Sequence, residues 1–201
     1  METDARARLE DDIRRACDQE RFGEAVTLAL KGFGPEVMGY LVAMTKNEVD
    51  AADAFSLYCE DVWKGLPRFR WASSFRTWSY TVARHALSRL TRDPERRRPK
   101  VAITGSQEFM ELAVHIRTTA MLNRGADPAS RAEALREQLE PDDRTLLILR
   151  IDRKLSWSDI ARVFLSETPE APEAEVTKTS AMLRKRFERV KERLRKLAAE
   201  G

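Results

Sequence analysis

The chain has 201 residues, of which 42% are hydrophobic and 34% are charged, and its formal net charge is +3. This length and hydrophobic content allow one or two small domains. Two cysteines and two histidines, far apart in the chain, make neither a disulfide framework nor a metal site, and no apolar run is long enough to span a membrane. We find no enzyme motif, so we expect a cytoplasmic protein with no catalytic residues, no cofactor, no metal and no membrane insertion.

The small net charge conceals a strong segregation along the chain. Residues 1–63 carry seven basic and fourteen acidic residues, whereas residues 64–100 carry eleven basic and two acidic ones. An acidic face beside a basic face suggests two kinds of partner.

Apolar periodicity predicts five helices in the first half of the chain, at residues 3–19, from 22 to about 31, 35–45, 48–65 and 75–90. Gly32 and Gly34 are expected to end the second helix, and Pro35 to begin the third. The expected N-caps of the fourth and fifth helices are Asn47 and either Ser73 or Ser74.

The loop at residues 67–73 is rich in aromatic and basic residues and is expected to be exposed. Aromatic rings can stack on unpaired bases while guanidinium groups neutralise phosphates, so Phe69 and Trp71 are candidate contacts to single-stranded nucleic acid. Trp78 falls at helical spacing with Val82 and Leu87, and both Trp78 and Tyr80 are better explained as core. The alternative for the arginines of this stretch is a solvated helix face.

Residues 91–127 contain prolines and glycines that predict a linker with one weakly held helix at 109–122. Short helices are predicted beyond it, the last of them capped by Ser156 and Asp159, and a long final helix follows a turn at residues 166–175. Residues 178–197 of that helix carry nine basic and two acidic residues. Two short helices before a basic helix favour a helix-turn-helix that binds DNA; the alternative is a charged coiled coil, for which the heptad run is short.

Two separated pairs of segments resemble the extracytoplasmic-function group of bacterial RNA polymerase sigma factors. DAADAFSLYCEDVWKGLPRFR and SSFRTWSYTVARHALSRL resemble its region 2, and LEPDDRTLLILRIDRKLSWSDIARVF and LRKRFERVKERLRKL resemble its region 4. The resemblance implies an all-α protein of two small domains: a region 2 helical bundle at residues 1–92 and a region 4 helix-turn-helix at 130–201, joined by a linker at 93–129. Such a protein is not an enzyme. It binds core RNA polymerase, recognises the minus-10 and minus-35 elements of a promoter, and initiates transcription.

The resemblance also implies roles for individual residues. Acidic residues of the fourth predicted helix would bind core polymerase: Asp50, Asp53, Glu60 and Asp61. The aromatic loop and the helix after it would bind the minus-10 element through Phe69, Arg70, Trp71, Ser74, Phe75, Arg76, Arg84, His85 and Arg89. The last helix would bind the minus-35 element through Lys178, Arg184, Lys185, Arg186 and Arg189.

The chain departs from the family's pattern in the turn before the last helix, where residues 166–175 insert an acidic stretch. We interpret that stretch as a surface loop; the alternative is a docking site for an anti-sigma factor. Two other functions stay open: a helix-turn-helix regulator that acts independently of core polymerase, and a helical adaptor that binds protein through its acidic face.

Overall fold

The computed structural model describes five stretches of the chain, at residues 2–45, 47–92, 107–124, 131–165 and 171–200. These stretches contain helices and turns and no strand, which confirms the all-α prediction. No helix in the described stretches is both long and apolar enough to cross a membrane. The contacts divide the chain into two compact units, Met1–Asn123 and Arg124–Gly201. Both boundaries of the predicted linker, residues 93 and 129, lie outside the described residues.

In its described residues the first unit contains five α-helices. They are α1 (Glu2–Asp18), α2 (Phe22–Met44), α3 (Glu48–Gly65), α4 (Phe75–Arg92) and α5 (Gln107–Arg124), with a short 3-10 turn at Leu66–Arg68. Asn47 caps α3 as predicted, because its side-chain oxygen accepts a hydrogen bond from the Asp50 amide at 2.7 Å. Ser74 caps α4 in the same way, accepting from the Thr77 amide at 3.0 Å.

The prediction of two helices separated by Gly32, Gly34 and Pro35 is wrong, because α2 runs through all three residues. A proline inside a helix costs about 3 kcal/mol through its missing amide hydrogen and a clash with the preceding turn. Helix α2 buries Leu30 and Phe33 before the proline and Val37 and Met38 after it, and this burial outweighs the local cost. The glycines do not end the helix but allow close packing, since a β-carbon at Gly32 would overlap the side chain of Leu9 in α1.

Helices α2, α3 and α4 enclose the core of the first unit. Tyr58 of α3 and Ser79 of α4 are both fully buried and share a hydrogen bond of 2.7 Å between their hydroxyl groups. Tyr80 is 1% exposed and meets Tyr40 edge-on, which confirms the prediction that it belongs to the core. These two buried contacts, the hydroxyl hydrogen bond and the tyrosine pair, fix the rotation of α4 about its own axis. They therefore determine which face of α4 is exposed.

Helix α5 contributes buried side chains to the core of the first unit. Phe109 is fully buried and its ring lies 5.5 Å from that of Trp63. Ile116 is 6% exposed, and its terminal carbon would lie 2.8 Å from a β-carbon placed at Gly34. The first unit thus includes α5, which lies inside the segment predicted to be a linker.

The second unit is built on the long helix α9 (Glu173–Glu200). The other helices are α6 (Arg131–Glu137), α7 (Pro141–Leu147), which continues into a π-helical turn (Ile148–Asp152), and α8 (Trp157–Phe164). Ser156 caps α8 by accepting from the Asp159 amide at 3.1 Å, as predicted. Helix α9 begins at Glu173, so the last part of the predicted 166–175 insertion is helical, while residues 166–170 lie outside the described residues. Leu183, Phe187 and Val190 form the buried stripe of α9.

Candidate nucleic-acid and polymerase interfaces

The loop between α3 and α4 and the start of α4 together hold four aromatic rings in one cluster, which we call the aromatic platform: Phe69 and Trp71 of the loop and Phe75 and Trp78 of α4. The ring of Phe69 stacks on Trp78 at 4.8 Å between centroids and lies 4.9 Å from Trp71. Phe75 closes the cluster from below, 5.5 Å from Trp78 and 5.4 Å from Phe33 of α2. The platform is therefore continuous with the core of the first unit.

Burial differs among the predicted base contacts. Phe69 and Trp71 are half-buried, not fully exposed as the sequence predicted, because each ring covers part of the other. Phe75 is 0% exposed, so its ring supports the platform from the interior and offers no surface to a base. Trp78 was expected in the core and is also half-buried. The rings that retain an accessible face are Phe69, Trp71 and Trp78.

The backbone of the loop is held at a conformation that L-residues rarely adopt. Trp71 has φ of 57°, in the left-handed region, where a bulky side chain is strained. The far end of the loop is anchored by Glu10 of α1, whose two carboxylate oxygens accept from the amides of Phe75 and Arg76, each at 3.1 Å. This carboxylate satisfies two of the unpaired donors at the start of α4. Contacts from outside the loop thus fix the platform in place.

Arg76 is predicted to contact DNA, but its guanidinium group is engaged inside the unit. Its Nε donates to Glu36 of α2 at 2.9 Å, and Tyr80 donates to the same carboxylate at 2.7 Å. The side chains of Arg76 and Glu36 are only 15% and 16% exposed. Burial works to raise the pKa of Glu36, but the hydrogen bonds from Arg76 and Tyr80 and the charge of Arg76 outweigh it and lower that pKa. We therefore assign Arg76 to structural pairing.

The remaining predicted minus-10 residues lie on α4 and in the loop. Arg70 is exposed, and Arg84 and His85 are half-buried on α4. Arg89 is exposed at the end of the helix and forms an ion pair with Asp61 of α3. Because Asp61 is itself a predicted polymerase contact, this pair connects the two predicted surfaces of the first unit.

All four predicted polymerase contacts are half-buried residues of α3. Asp50 accepts from the Asn47 side chain at 2.8 Å, and Glu60 pairs with Lys64. Burial raises the pKa of the Asp61 carboxyl above its usual value, and the charge of Arg89 only partly opposes this. An exposed apolar residue lies beside these acids, because Val49 at the start of α3 is 68% exposed. The acidic surface therefore has an apolar neighbour.

Helix α9 presents a separate basic face. Lys178, Lys185 and Arg189 are exposed and recur at helical spacings, opposite the buried stripe. Met182 lies among them and is 55% exposed. This face is suited to a polyanion because its cations point into solvent.

Two other predicted residues of α9 have partners within the second unit. The Nε of Arg186 donates to Asp143 of α7 at 2.5 Å, and a second nitrogen lies 3.8 Å from Asp142. Arg184 is exposed, with its guanidinium carbon 5.7 Å from the ring centroid of Trp157. Arg186 is thus paired with carboxylates of α7. Arg184 stays exposed on α9, with its guanidinium group beside Trp157 at the start of α8.

A cavity of about 490 Å³ lies between the first turns of α8 and α9. Trp157 lines it between Arg150 and Arg184, with the guanidinium carbon of Arg150 4.8 Å from the Trp157 ring centroid. The carboxylate of Glu173 and the hydroxyl groups of Ser156, Ser158, Thr177 and Ser180 also line it. The Ser180 hydroxyl donates to the Trp157 carbonyl at 3.0 Å and ties the two helices together.

Sequence reasoning missed Glu10, Arg14 and Glu36, which organise the platform and α4 from other helices. Their partners are 65, 57 and 40 residues away along the chain. The periodicity of a sequence indicates which face of a helix is apolar. It does not indicate which distant amide or guanidinium group will bind an acidic side chain on the polar face. The only local signal was the excess of acids in residues 1–63.

Comparison with known proteins gives one match. Residues 30–98 match the family model described as Sigma-70 region 2, a segment that contains most of α2, all of α3, the aromatic platform and α4. No curated protein and no solved structure matches the chain. Proteins with this region are non-enzymatic transcription factors that bind core RNA polymerase and promoter DNA. The match supports the sigma-70 family for the segment that holds the aromatic platform and the acidic helix.

Proposed function

We propose that this protein is a sigma factor of the extracytoplasmic-function group that binds core RNA polymerase, recognises a promoter and helps to open it. The observation that carries the proposal is the aromatic platform, which lies inside the segment that matches sigma-70 region 2. Half-buried aromatic rings on a fixed loop are suited to stacking with bases that have left the duplex, since every base has a stacking face.

The proposed mechanism is differential binding. The platform holds unpaired bases of the minus-10 element through Phe69, Trp71 and Trp78, so it favours the melted strand over the duplex. Each stacked base contributes roughly 1–3 kcal/mol. Promoter opening is then driven by binding energy, with no step that hydrolyses a nucleotide.

The acidic face of α3 is the proposed contact with core polymerase. Asp50, Asp53, Glu60 and Asp61 lie on one helix, and Val49 adds apolar surface beside them. A mixed acidic and apolar surface favours a protein partner over a polyanion.

The second unit is the proposed minus-35 contact. A short capped helix, α8, packs on the long helix α9, and the exposed cations of α9 lie opposite its buried stripe. That arrangement supports a helix-turn-helix with α9 in the major groove, where Lys178, Arg184, Lys185 and Arg189 are available to bases or phosphates. An anti-sigma factor stays a proposed further partner, with no described contact assigned to it.

The test is to mix the purified chain with core polymerase and a promoter library and to sequence the transcript starts. We expect core binding and transcripts from a defined promoter class. Absence of core binding would refute the sigma proposal, and duplex binding without core would favour an independent helix-turn-helix regulator. Core-independent binding of a protein partner without DNA would favour the adaptor.

Residue-level variants separate opening from docking. Trp71→Ala should reduce permanganate reactivity of the opened strand by about tenfold, one stacked base being worth roughly 1.4 kcal/mol or more, while core binding stays unchanged. Tyr40→Phe is a matched control, because Tyr40 is an aromatic residue of the core and is 1% exposed. Equal footprints for Trp71→Ala and the wild type would contradict the base-stacking role.

A further inference from the structure

Helix α1 places one cation directly against the aromatic platform. The guanidinium carbon of Arg14 lies 5.6 Å from the centroid of the Trp71 ring. The side chain of Arg14 is exposed, and among the described residues no carboxylate forms an ion pair with it. Its neighbour Arg15, by contrast, pairs with Asp12 of the same helix. The guanidinium group of Arg14 is therefore not held in an ion pair within the described part of the fold.

The position of Arg14 is fixed by contacts one turn away. Glu10, on the same face of α1, binds the first two amides of α4 through both carboxylate oxygens at 3.1 Å. Ile13 and Ala16 are 0% and 1% exposed and hold α1 against the core. Helix α1 is thus anchored at the far end of the loop, and this anchoring keeps the guanidinium group of Arg14 over the ring of Trp71.

A guanidinium group stacked on an indole ring keeps its N–H donors at its edge. Stacking and a weak hydration shell lower the cost of ordering arginine, and the free donors then suit a phosphate group in a bidentate arrangement. A base stacked on the platform brings its own phosphates within reach of such donors, because the backbone of a single strand runs beside its bases. Trp71 also has a backbone φ of 57°, a strained conformation that persists only where the surrounding structure holds it.

We propose that Arg14 binds a backbone phosphate of the single strand that the platform captures, so that α1 and the loop together form one nucleotide-binding site. The inference rests on the proposed function of the platform. It assigns a DNA contact to a helix that ends before residue 30, where the sigma-70 region 2 match begins. Arg14 supplies the anion-binding group, and Trp71 both positions that group and stacks with a base.

The test uses the full chain bound to core polymerase and a fluorescent fork-junction DNA with a single-stranded minus-10 extension. Affinity is measured against salt concentration for the wild type and for Arg14→Gln, Arg14→Lys and Arg15→Gln. Loss of one phosphate contact to a single strand should lower the slope of log affinity against log salt by about 0.7 in Arg14→Gln. Arg14→Lys should keep the wild-type slope, and Arg15→Gln, which removes the same charge from the next residue, should change it little.

A second measurement identifies the phosphate. Neutral methylphosphonate linkages are placed one at a time along the extension, and one position should weaken the wild type while leaving Arg14→Gln unaffected. A merely structural role for Arg14 would not produce this position-specific coupling. Equal slopes for Arg14→Gln and Arg15→Gln, or coupling at no position, would overturn the inference while leaving the platform proposal intact. Failure of the wild type to bind the fork with core polymerase would refute the platform proposal and the inference together.

Discussion

Helix α4 and helix α9 are both strongly basic, yet they use their charges differently. Arg76 and Arg89 of α4 pair with Glu36 and Asp61 of neighbouring helices, whereas most cations of α9 point into solvent. Of the five basic residues predicted on α9 to bind DNA, only Arg186 has carboxylate partners in another helix of the described second unit.

A count of charges along the sequence therefore overstates the electrostatic field at a surface. Paired arginines add little to long-range attraction, because a nearby carboxylate cancels their potential beyond a Debye length. The first unit should therefore bind DNA chiefly by stacking on the aromatic platform, and the second chiefly by salt-dependent phosphate contacts.

The largest effect is expected from Glu36→Gln, which removes the partner of Arg76. Breaking a mostly buried ion pair leaves an uncompensated charge and costs about 3–5 kcal/mol. This loss of stability should make hydrogen exchange of the α4 amides faster, while the exchange of the α9 amides stays as slow as in the wild type. Glu24→Gln is the control, since Glu24 pairs with Arg21 on the surface and surface pairs contribute about 1 kcal/mol or less.

The effect of Glu36→Gln should also depend on pH with a definite sign. The pKa of Glu36 is lowered in the folded state from its usual value of 4.5. Its stabilisation is thus fully present above that value and is lost as the pH falls through the lower folded-state pKa. The two proteins should therefore converge in acid. A difference in stability between the two proteins that stays constant as the pH falls would contradict the assignment of Arg76 to structural pairing. Loss of DNA binding by Arg76→Ala without loss of stability would contradict it as well.

A smaller effect should separate Lys185 from Arg186 on adjacent positions of α9. Lys185→Ala should lower the salt slope of duplex binding by about 0.9, the value for one phosphate contact to B-DNA. Arg186→Ala should change that slope less and should instead destabilise the second unit, because Asp143 loses the partner that donates to it at 2.5 Å. Salt titrations and thermal melting of the same two variants give both readouts. Equal salt slopes of duplex binding for the two variants would show that Arg186 contacts DNA despite its ion pairs with α7.

The sequence was sufficient where structure depends on neighbours along the chain. The caps Asn47, Ser74 and Ser156 and the all-α class follow from local hydrogen bonding and apolar spacing. It was insufficient at Pro35, where tertiary burial outweighed a local signal for a helix break, and at Arg76, where an acid forty residues away decides whether the charge is free. Helix-breaking residues and charges both have effects that depend on distant partners, which a single sequence does not specify.

The smallest effect on stability should come from Asp61→Asn, and it distinguishes folding from partner binding. Burial raises the pKa of Asp61 above its usual 3.8, so the folded state binds the proton more tightly than the unfolded state does. Ionisation therefore weakens the fold as the pH rises through the folded-state pKa. At neutral pH the variant should be unchanged or more stable by less than about 1 kcal/mol, because Arg89 is half exposed and solvent can replace its partner.

If Asp61 contacts core polymerase, the same variant should bind core more weakly despite its intact fold. Glu108→Gln is the matched control, since Glu108 is an exposed acid of α5 that pairs with Lys31. Core affinity for the two variants can be compared by competition against a labelled wild-type chain. Equal affinities would remove Asp61 from the polymerase interface and leave its ion pair with Arg89 as a contact between α3 and α4 alone.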